Sequence, residues 1–310
     1  MKKLKNLLLI LIIVIIGVLI RSNYKLFETL KFVDPSMQAN VVCKKHPGKV
    51  WLISYADGET HIANQRALTY SALNNCIDFF MHFGPHSIDK KYFEKHRGIL
   101  TQPKGAGYWL WKPYIILKTL EQIPKNDFVF YVDTGTRIIK PIDSLFEHLD
   151  NADILLFRNG HPNKGYVKRD LLEMLNMDNT EVLNAMQLQG GYVLVKNTKY
   201  SRNFIKKWLT ICENKQALTD TPSFTKEYPS FRAHRHDQAI LSLLYLQNSK
   251  KIAVIEPNET FKYLLSHHRR KTRRSLLLDH KITKVEIFLN RLIYQLGSFV
   301  KNSIYKAPNT

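Results

Sequence analysis

Residues 105–140, GAGYWLWKPYIILKTLEQIPKNDFVFYVDTGTRIIK, determine which fold we expect. An aromatic and basic cluster at 108–112 precedes a helix that we predict over 113–122, because proline is tolerated in a first helical turn. The uniformly apolar run 128–132 predicts a buried strand that ends on a carboxylate, Asp133. Ligands bind at the carboxyl edge of open α/β sheets, so this stretch predicts a nucleotide-type site at that edge.

The alternation of strands and helices continues on both sides of this stretch. Apolar runs predict further strands over 50–55, 79–83, 154–157, 192–195 and 252–255. Helical spacing predicts helices over 65–77, 142–149, 199–213 and 239–246, and a basic helix or loop over 92–100. This alternation predicts an α/β fold with a mostly parallel sheet flanked by helices.

The chain divides into four segments by composition. Its 310 residues are enough for one substantial core, which we place at 49–265. Lysines followed by an apolar run to Ile20 predict an uncleaved membrane anchor at 1–21, with a cleaved signal peptide as the alternative. Residues 22–48 are predicted to be a stem. The basic amphipathic tail, 266–310, fits an anionic membrane surface, or else packs on the domain.

Charge and cysteine content narrow the class of partner. Lys and Arg number 46 against 26 acidic residues, a net charge of +20. This excess favours an anionic partner such as nucleotide phosphate, anionic lipid or nucleic acid, and a generally basic proteome is the alternative. No pattern typical of nucleic-acid-binding modules occurs, so we expect no nucleic acid partner. Cys43, Cys76 and Cys212 are widely spaced and form no CxxC motif. We therefore expect free thiols, a reducing compartment, and neither a disulfide framework nor a structural zinc site.

Several residues near predicted strand ends carry chemistry that suits a nucleotide sugar. Asp57 and Asp133 are placed to bind ribose, and Asp133 is also a candidate metal ligand, although both suit turns as well. Lys112 and Arg137 are candidates for neutralising phosphate, unless they are solvated surface cations. Trp109 and Trp111 are candidates for a binding wall, with core packing the expected role of at least one of them.

A second group of candidates lies toward the C-terminus. Asp237, within the sequence RHDQ, is a candidate general base or acceptor ligand, and a helix N-cap is the alternative. Its histidine and arginine neighbours should lower its pKa unless it is buried. Gly190 and Gly191 allow the backbone to approach a sugar or phosphate, or form a simple bulge.

Taken together, these motifs resemble a family. AD at 56–57, Arg66, GYWLWKP at 107–113, YVDTG at 131–135, QGGYVLVKN at 189–197 and RHDQ at 235–238 are similar to GT-A-fold glycosyltransferases of bacterial surface-polysaccharide clusters. The resemblance covers roughly residues 50–260.

The resemblance implies a nucleotide-diphospho-sugar donor and a saccharide or lipid-linked acceptor. It places Asp133 at the first carboxylate of a DxD motif that binds Mn²⁺ or Mg²⁺, while Gly135 replaces the second carboxylate. Lys112, Arg137 or His236 would then supply the missing charge or ligand. The implied donor-binding residues are Asp57, Arg66, Trp109, Trp111, Lys112, Asp133, Arg137, Gly190 and Gly191. The implied acceptor side holds His236, Asp237 and Gln238, and the implied catalytic residues are Asp237 and Asp133.

Two hypotheses from different classes follow. The first is a membrane-anchored glycosyltransferase that serves surface polysaccharide or glycoconjugate synthesis. The second is a non-catalytic membrane-surface binding protein with a degenerate nucleotide-sugar fold, which Gly135 favours. For the enzyme we expect a location on the cytosolic face of the inner membrane in a bacterium, or in the Golgi lumen in a eukaryote.

Overall fold

The computed structural model describes residue 43 and residues 48–73, 75–258, 260 and 264–266. The predicted anchor, nearly all of the predicted stem and tail, and their contacts lie outside these residues. Among the described residues, none of the helices combines the length and apolarity needed to span a bilayer.

A six-stranded sheet organises the domain, in the order β2-β1-β3-β6-β5-β7. A separate two-stranded sheet pairs β4 with β8 in antiparallel fashion. The strands are β1 Val50–Tyr55, β2 Phe79–Phe83, β3 Phe128–Val132, β4 Thr136–Ile138, β5 Ile154–Pro162, β6 Met186–Lys196, β7 Ile252–Ile255 and β8 Leu264–Ser266.

Five of the six strands run in the same direction, so the sheet is mostly parallel, as predicted, with one reversed strand. β1 runs parallel to β2 and β3, and β5 runs parallel to β7. β6 lies in the middle of the sheet and is antiparallel to both of its neighbours, β3 and β5. An alternation of strands and helices in sequence does not fix strand direction, and this long reversed strand carried no directional signal.

Helices cover both faces of this sheet. They are α1 Glu59–Ala72, α2 Lys90–Lys95, α3 Arg97–Leu100, α4 Trp111–Gln122, α5 Arg169–Met174, α6 Thr180–Asn184, α7 Lys199–Cys212, α8 Lys215–Leu218 and α9 His236–Gln247. Short 3-10 helices form at Pro85–Ser87, Asp143–Leu149 and Asn163–Gly165. Helices α5, α6 and α8 were not predicted, and α1 begins six residues before the expected 65, directly after Gly58.

The core consists of two apolar layers, one on each face of the sheet. Side chains alternate between faces along a strand, so Val129 and Tyr131 pack with α4, α7 and α9, whereas Phe128, Phe130 and Val132 pack with α1. All five residues of β3 are buried, which explains why its sequence is uniformly apolar. Burying one large apolar side chain stabilises the fold by about 1.5–3 kcal/mol.

The cysteines contradict the expectation of free thiols. Cys43 and Cys76 form a disulfide with their Cα atoms 5.6 Å apart, and only Cys212 is free and buried. Separation along the chain, here 33 residues, says nothing about distance in the fold, which is why the sequence missed this bond. Disulfides persist in oxidising environments, so the inference of a reducing compartment loses its basis.

Candidate active site

Strand β3 presents two polar groups on the face that carries α4, α7 and α9. Asp133 follows the strand directly, and the period of two places its side chain on the same face as Tyr131. The Tyr131 hydroxyl donates a hydrogen bond of 2.5 Å to Asp133 Oδ1. The Asp133 side chain is 31% exposed and is therefore open to a ligand.

Two helices bring a lysine and a second carboxylate to this position. Lys112 lies in the first turn of α4 and Asp237 in the first turn of α9, where the helix dipole favours a negative charge. Lys112 Nζ donates a hydrogen bond of 2.8 Å to Asp237 Oδ2 and lies 3.9 Å from Asp133 Oδ1. We call Lys112, Asp133 and Asp237 the charged cluster.

The two glycines of β6 make the close packing of the charged cluster possible. A Cβ atom on Gly190 would lie 3.0 Å from Asp237 Oδ2 and 3.3 Å from Lys112 Nζ. A Cβ on Gly191 would lie 3.1 Å from Asp133 Oδ2. A side chain at either position would therefore crowd the carboxylates, which would have to shift by a few tenths of an ångström.

Burial sets the protonation behaviour of the charged cluster. The Lys112 and Asp237 side chains are only 3% and 5% exposed. Loss of solvent, together with the nearby Asp133, raises the pKa of Asp237 to about 6, although Lys112 opposes that shift. Burial alone would lower the pKa of Lys112, but the two carboxylates outweigh it and raise that pKa. The sequence predicted a lowered pKa for Asp237 only if this residue were exposed. Because Asp237 is buried, its pKa is raised instead.

Two histidines fix the chain that leads into Asp237. The carbonyls of Ala217 and Leu218 in α8 accept hydrogen bonds from His234 Nε2 and His236 Nδ1, at 2.9 and 2.8 Å. Burial lowers the pKa of both rings, to about 3 for His234, so both are neutral near pH 7. His236 has a φ of 53°, which turns the backbone sharply at the start of α9. Asp237 is thus held by its surroundings as well as by Lys112.

The segment before α4 forms a left-handed turn, which we call the 105–109 turn. Its φ angles are 59° at Gly105, 50° at Ala106, 97° at Gly107, 53° at Tyr108 and 60° at Trp109. The side chain of Trp111 donates a hydrogen bond of 2.9 Å to the Gly105 carbonyl, and Lys112 N donates one of 2.9 Å to the Trp109 carbonyl. Through these bonds the turn is connected directly to the charged cluster.

A family model matches a large part of this chain. Residues 49–285 match the model of the galactosyl transferase GMA12/MNN10 family, and this range contains the charged cluster, both glycines and the 105–109 turn. The chain belongs to this family. It is a glycosyltransferase that uses a nucleotide-sugar donor, as its motifs predicted.

Solved glycosyltransferase structures are similar to this one at low identity. A glycosyltransferase involved in the glycosylation of the major capsid of PBCV-1 has 12% identity and a TM-score of 0.40, with 67% of this chain and 83% of that chain covered. Mouse xyloside xylosyltransferase 1, in its apo form, has 15% identity and a TM-score of 0.41, with 72% and 77% covered. Galactosyltransferase LgtC, with donor and acceptor sugar analogs, has 14% identity and a TM-score of 0.38, with 66% and 72% covered. A comparison with curated proteins finds no match.

The glycosyltransferase brings most, but not all, of its predicted site residues together. Direct contacts join Lys112, Asp133, Gly190, Asp237 and Gln238. The side-chain oxygen of Gln238 accepts a hydrogen bond of 3.3 Å from Gly190 N. Gly191 lies against Asp133, as described above, and the rings of Trp109 and His236 stack at 5.4 Å.

Four predicted donor residues are not members of the charged cluster. Trp111 is buried in the core, where its ring stacks on Tyr55 at 3.9 Å and lies 5.8 Å from Lys112 Nζ. Asp57 is exposed just beyond the carboxyl end of β1, beside β3. Arg66 lies within α1. Burial lowers the pKa of His82 in β2, and the positive charge of Arg66 lowers it further. Arg137 is on β4, where burial lowers its pKa and its side chain bonds the Thr136 carbonyl at 2.8 Å. Their roles toward the donor stay predictions.

Three contributors to the site were missed from the sequence. Tyr131 is detectable in principle, because it lies two residues before Asp133 on the same strand face. Trp208 Nε1 donates a hydrogen bond of 2.9 Å to the Asp237 carbonyl, and Asp220 forms an ion pair of 2.7 Å with Lys104. Both contacts join segments that are distant in sequence, so no local pattern reveals them.

The carboxylates of the charged cluster suit a divalent ion that arrives with phosphate. Mg²⁺ is commonly held by one or two carboxylates together with substrate phosphates. Among the described residues, the group of three metal-ligand side chains in the structure is instead Cys43, Cys76 and Asp143, and its two sulfur atoms are bonded to each other. Within the charged cluster, Asp133 is the carboxylate open to such an ion, because Asp237 is buried and its Oδ2 accepts a hydrogen bond from Lys112.

Proposed function

We propose that this glycosyltransferase has a GT-A-like fold and transfers galactose from a nucleoside-diphosphate donor to a saccharide or lipid-linked acceptor. The product would be a surface polysaccharide or another glycoconjugate. The observation that carries the proposal is the charged cluster, which lies at the edge where β3 ends and has one open carboxylate, Asp133. Galactose is chosen because the family is described as galactosyl transferases.

Asp133 would bind the donor. Its carboxylate faces the open side of the cluster, while Tyr131 and Lys112 orient it from the buried side. A carboxylate at a strand end suits the ribose hydroxyls or a divalent ion on the diphosphate. Mn²⁺ or Mg²⁺, when bound, would neutralise diphosphate charge, with Asp133 as the residue that holds it and Gly135 in place of a second carboxylate.

Asp237 would act on the acceptor as a general base. A base works best when its pKa is near the operating pH, and the pKa of about 6 meets that requirement better than an ordinary aspartate does. Lys112 keeps Asp237 oriented and balances one of the two negative charges in the cluster.

We also propose that the enzyme is anchored in a membrane by residues 1–21, with the tail 266–310 at the membrane surface. The Cys43–Cys76 disulfide supports a catalytic domain on the oxidising side of that membrane. Of the two locations expected from sequence, this favours a lumenal over a cytosolic one.

The proposal is tested by donor turnover with the full chain in detergent. UDP-galactose, UDP-glucose and GDP-mannose are compared with and without Mn²⁺, and release of nucleoside diphosphate is measured. We expect UDP-galactose to be preferred, and Asp133→Asn to lower turnover at least about 100-fold, since one lost electrostatic contact costs that much in other enzymes. Asp150→Asn, the same change at an exposed position, is the control.

Each result has a defined meaning. Preference for another donor contradicts galactose but leaves transfer intact, and full activity of Asp133→Asn contradicts the assigned site. The alternative function, non-catalytic binding at a membrane surface, is favoured by Gly135 and predicts no turnover of any donor. If the protein is an enzyme that merely lacks its acceptor, a nucleotide at about 100 times its dissociation constant should still stabilise the fold by about 2.7 kcal/mol, which thermal unfolding detects. No stabilisation by any nucleotide favours the binding protein.

A further inference from the structure

An aromatic and polar surface borders the charged cluster, and its residues have no part in the function proposed above. It consists of Lys104, Tyr108, Trp109 and Asp220, which we call the rim. Lys104 Nζ lies 2.7 Å from Asp220 Oδ2 and 6.0 Å from the centre of the Tyr108 ring. The Lys104 and Asp220 side chains are 47% and 43% exposed, and both aromatic residues are half-buried. The rim therefore offers both rings and charged groups to a ligand.

The rim is held in place by contacts with the buried His236 ring and by backbone hydrogen bonds within the 105–109 turn. The ring of His236 lies 5.0 Å from that of Tyr108 and 5.4 Å from that of Trp109. Backbone bonds of 2.7 Å from Tyr108 N to the Lys104 carbonyl and of 3.2 Å from Trp109 N to the Gly105 carbonyl close the 105–109 turn. Because the turn continues through the Trp109 carbonyl to Lys112, the rim has a fixed position relative to Asp237.

The charge of the rim distinguishes between two kinds of ligand. Lys104 and Asp220 neutralise each other, and a phosphate that approached Lys104 would meet the Asp220 carboxylate as well. A neutral sugar ring has no such conflict. Its hydroxyls can donate to the carboxylate and accept from the ammonium, while its apolar face packs on an aromatic ring. The rim thus suits a saccharide better than a nucleotide diphosphate.

A buried nitrogen points to the same class of ligand. His236 Nε2 is buried, has no hydrogen-bond partner within the described part of the chain, and lies 3.7 Å from Asp220 Oδ1. Since Nδ1 carries the proton that bonds Leu218, the neutral ring leaves Nε2 as an acceptor. Two acceptors facing each other call for a hydrogen-bond donor, and a sugar hydroxyl is one.

We propose that the rim is the acceptor-saccharide subsite of this enzyme. A neutral sugar ring would lie against Trp109 or Tyr108, with hydroxyls on Asp220, Lys104 and His236 Nε2, beside the proposed base Asp237. This rests on the proposed function and moves Trp109 from the donor side, where the sequence placed it, to the acceptor side.

The test compares acceptor and donor KM values of the full chain. The probes are the methyl glycosides of galactose, glucose, mannose and N-acetylglucosamine, used as acceptors with the donor that the wild-type enzyme turns over. In Asp220→Asn and Lys104→Met, the ratio of acceptor KM to donor KM should rise at least tenfold. Asp89→Asn, which breaks the exposed Lys118–Asp89 pair of 3.2 Å, should leave that ratio unchanged.

A second pair of variants tests the aromatic contact. Trp109→Phe keeps an aromatic face and should retain most of the acceptor affinity, whereas Trp109→Leu should raise acceptor KM at least tenfold. An unchanged KM ratio in both rim-charge variants would overturn the subsite, and so would a rise confined to donor KM. Failure of the wild-type enzyme to bind nucleotide or hydrolyse a donor would instead overturn the proposed function, and that assay contains no acceptor.

Discussion

Gly190 shows how a missing side chain can matter as much as the charged groups around it. The backbone of β6 passes so close to Asp237 that the Cβ of an alanine would lie 3.0 Å from Oδ2, tighter than ordinary contacts allow. The carboxylate is flexible enough to shift, but it would then leave Lys112. The orientation of Asp237 is therefore more sensitive to this position than the fold is.

We expect Gly190→Ala to lower transfer activity at least about tenfold while costing roughly 1–3 kcal/mol of unfolding free energy, as overpacking does. Activity assays and urea unfolding measure the two effects. Gly160→Ala is the matched control, because its Cβ would meet nothing within 4 Å. If Gly190→Ala retained full activity, Asp237 would not depend on this close approach.

Asp237 also predicts how activity changes with pH. Burial raises its pKa from the ordinary 3.8 to about 6. As a general base it must be ionised, so we expect kcat/KM to rise with pH through an apparent pKa of about 6, and Asp237→Asn to lose about 100-fold or more. A pH profile of wild type and variant checks this. A wild-type kcat/KM that stays constant from about one pH unit below that pKa to about one unit above it would contradict the prediction.

The same shift has a consequence for stability with a definite sign. A carboxyl whose pKa is raised in the native state binds its proton more tightly there, so the stabilisation is fully present below 3.8 and is lost as pH rises through about 6. Asp237→Asn does not titrate and should lack this loss. Melting temperatures of both proteins across that range provide the check.

At the scale of elements, the 105–109 turn has the most unusual backbone in the described part of the chain. Left-handed backbone costs roughly 1–2 kcal/mol per non-glycine residue, and Ala106, Tyr108 and Trp109 all adopt it. Such strain persists only where surrounding contacts over-determine the conformation, and it is concentrated at functional sites. Here the turn orients two aromatic rings and the start of α4 beside the charged cluster.

Gly107 should be essential to the turn. Its φ is 97°, and an added Cβ would lie 2.7 Å from Leu100 Cα, which is backbone and cannot move aside. We expect Gly107→Ala to lower the unfolding free energy by about 2 kcal/mol or more. Gly98→Ala, at an open position in α3, should be neutral or gain up to about 1 kcal/mol. Urea unfolding of both variants tests this, and equal stabilities would contradict it.

These elements also show what the sequence could and could not predict. The bounds of β3 were predicted to the residue because a strand buried on both faces is uniformly apolar. β6 was predicted at only 192–195 of Met186–Lys196, since the polar and glycine residues before 192 break the apolar pattern. The turn was missed because its conformation depends on contacts with Leu100 and Gln102 rather than on local propensity.

The candidate site was predictable in part for a similar reason. Asp133 could be placed at the sheet edge because it directly follows β3. The two glycines reach it only because β6 is antiparallel to β3, and the sequence did not reveal that direction. The Lys112–Asp237 bond spans 125 positions in the sequence, and nothing local to either residue indicates it. The same holds for Asp220, which lies in an irregular segment but completes the rim.

At the scale of the whole molecule, the Cys43–Cys76 disulfide joins the predicted stem to the domain. Cys76 is buried beside Asp143, whose Oδ2 lies 3.3 Å from its sulfur, while Cys43 is exposed. The bond closes a loop that contains β1, the second strand of the sheet, and α1, which packs on one of its faces. A cross-link of this length restricts the unfolded chain and so stabilises the native one.

We expect the double variant Cys43→Ser/Cys76→Ser to lose about 3 kcal/mol of unfolding free energy, and wild type in dithiothreitol to lose the same amount. Thermal unfolding with and without reductant measures this, and Cys212→Ser is the control that keeps the disulfide and its sensitivity to reductant. Alkylation with and without prior reduction shows whether the wild-type bond exists as the protein is isolated. Two reactive thiols at 43 and 76, with a melting temperature indifferent to dithiothreitol, would remove the support for an oxidising compartment and restore the cytosolic face as the expected location.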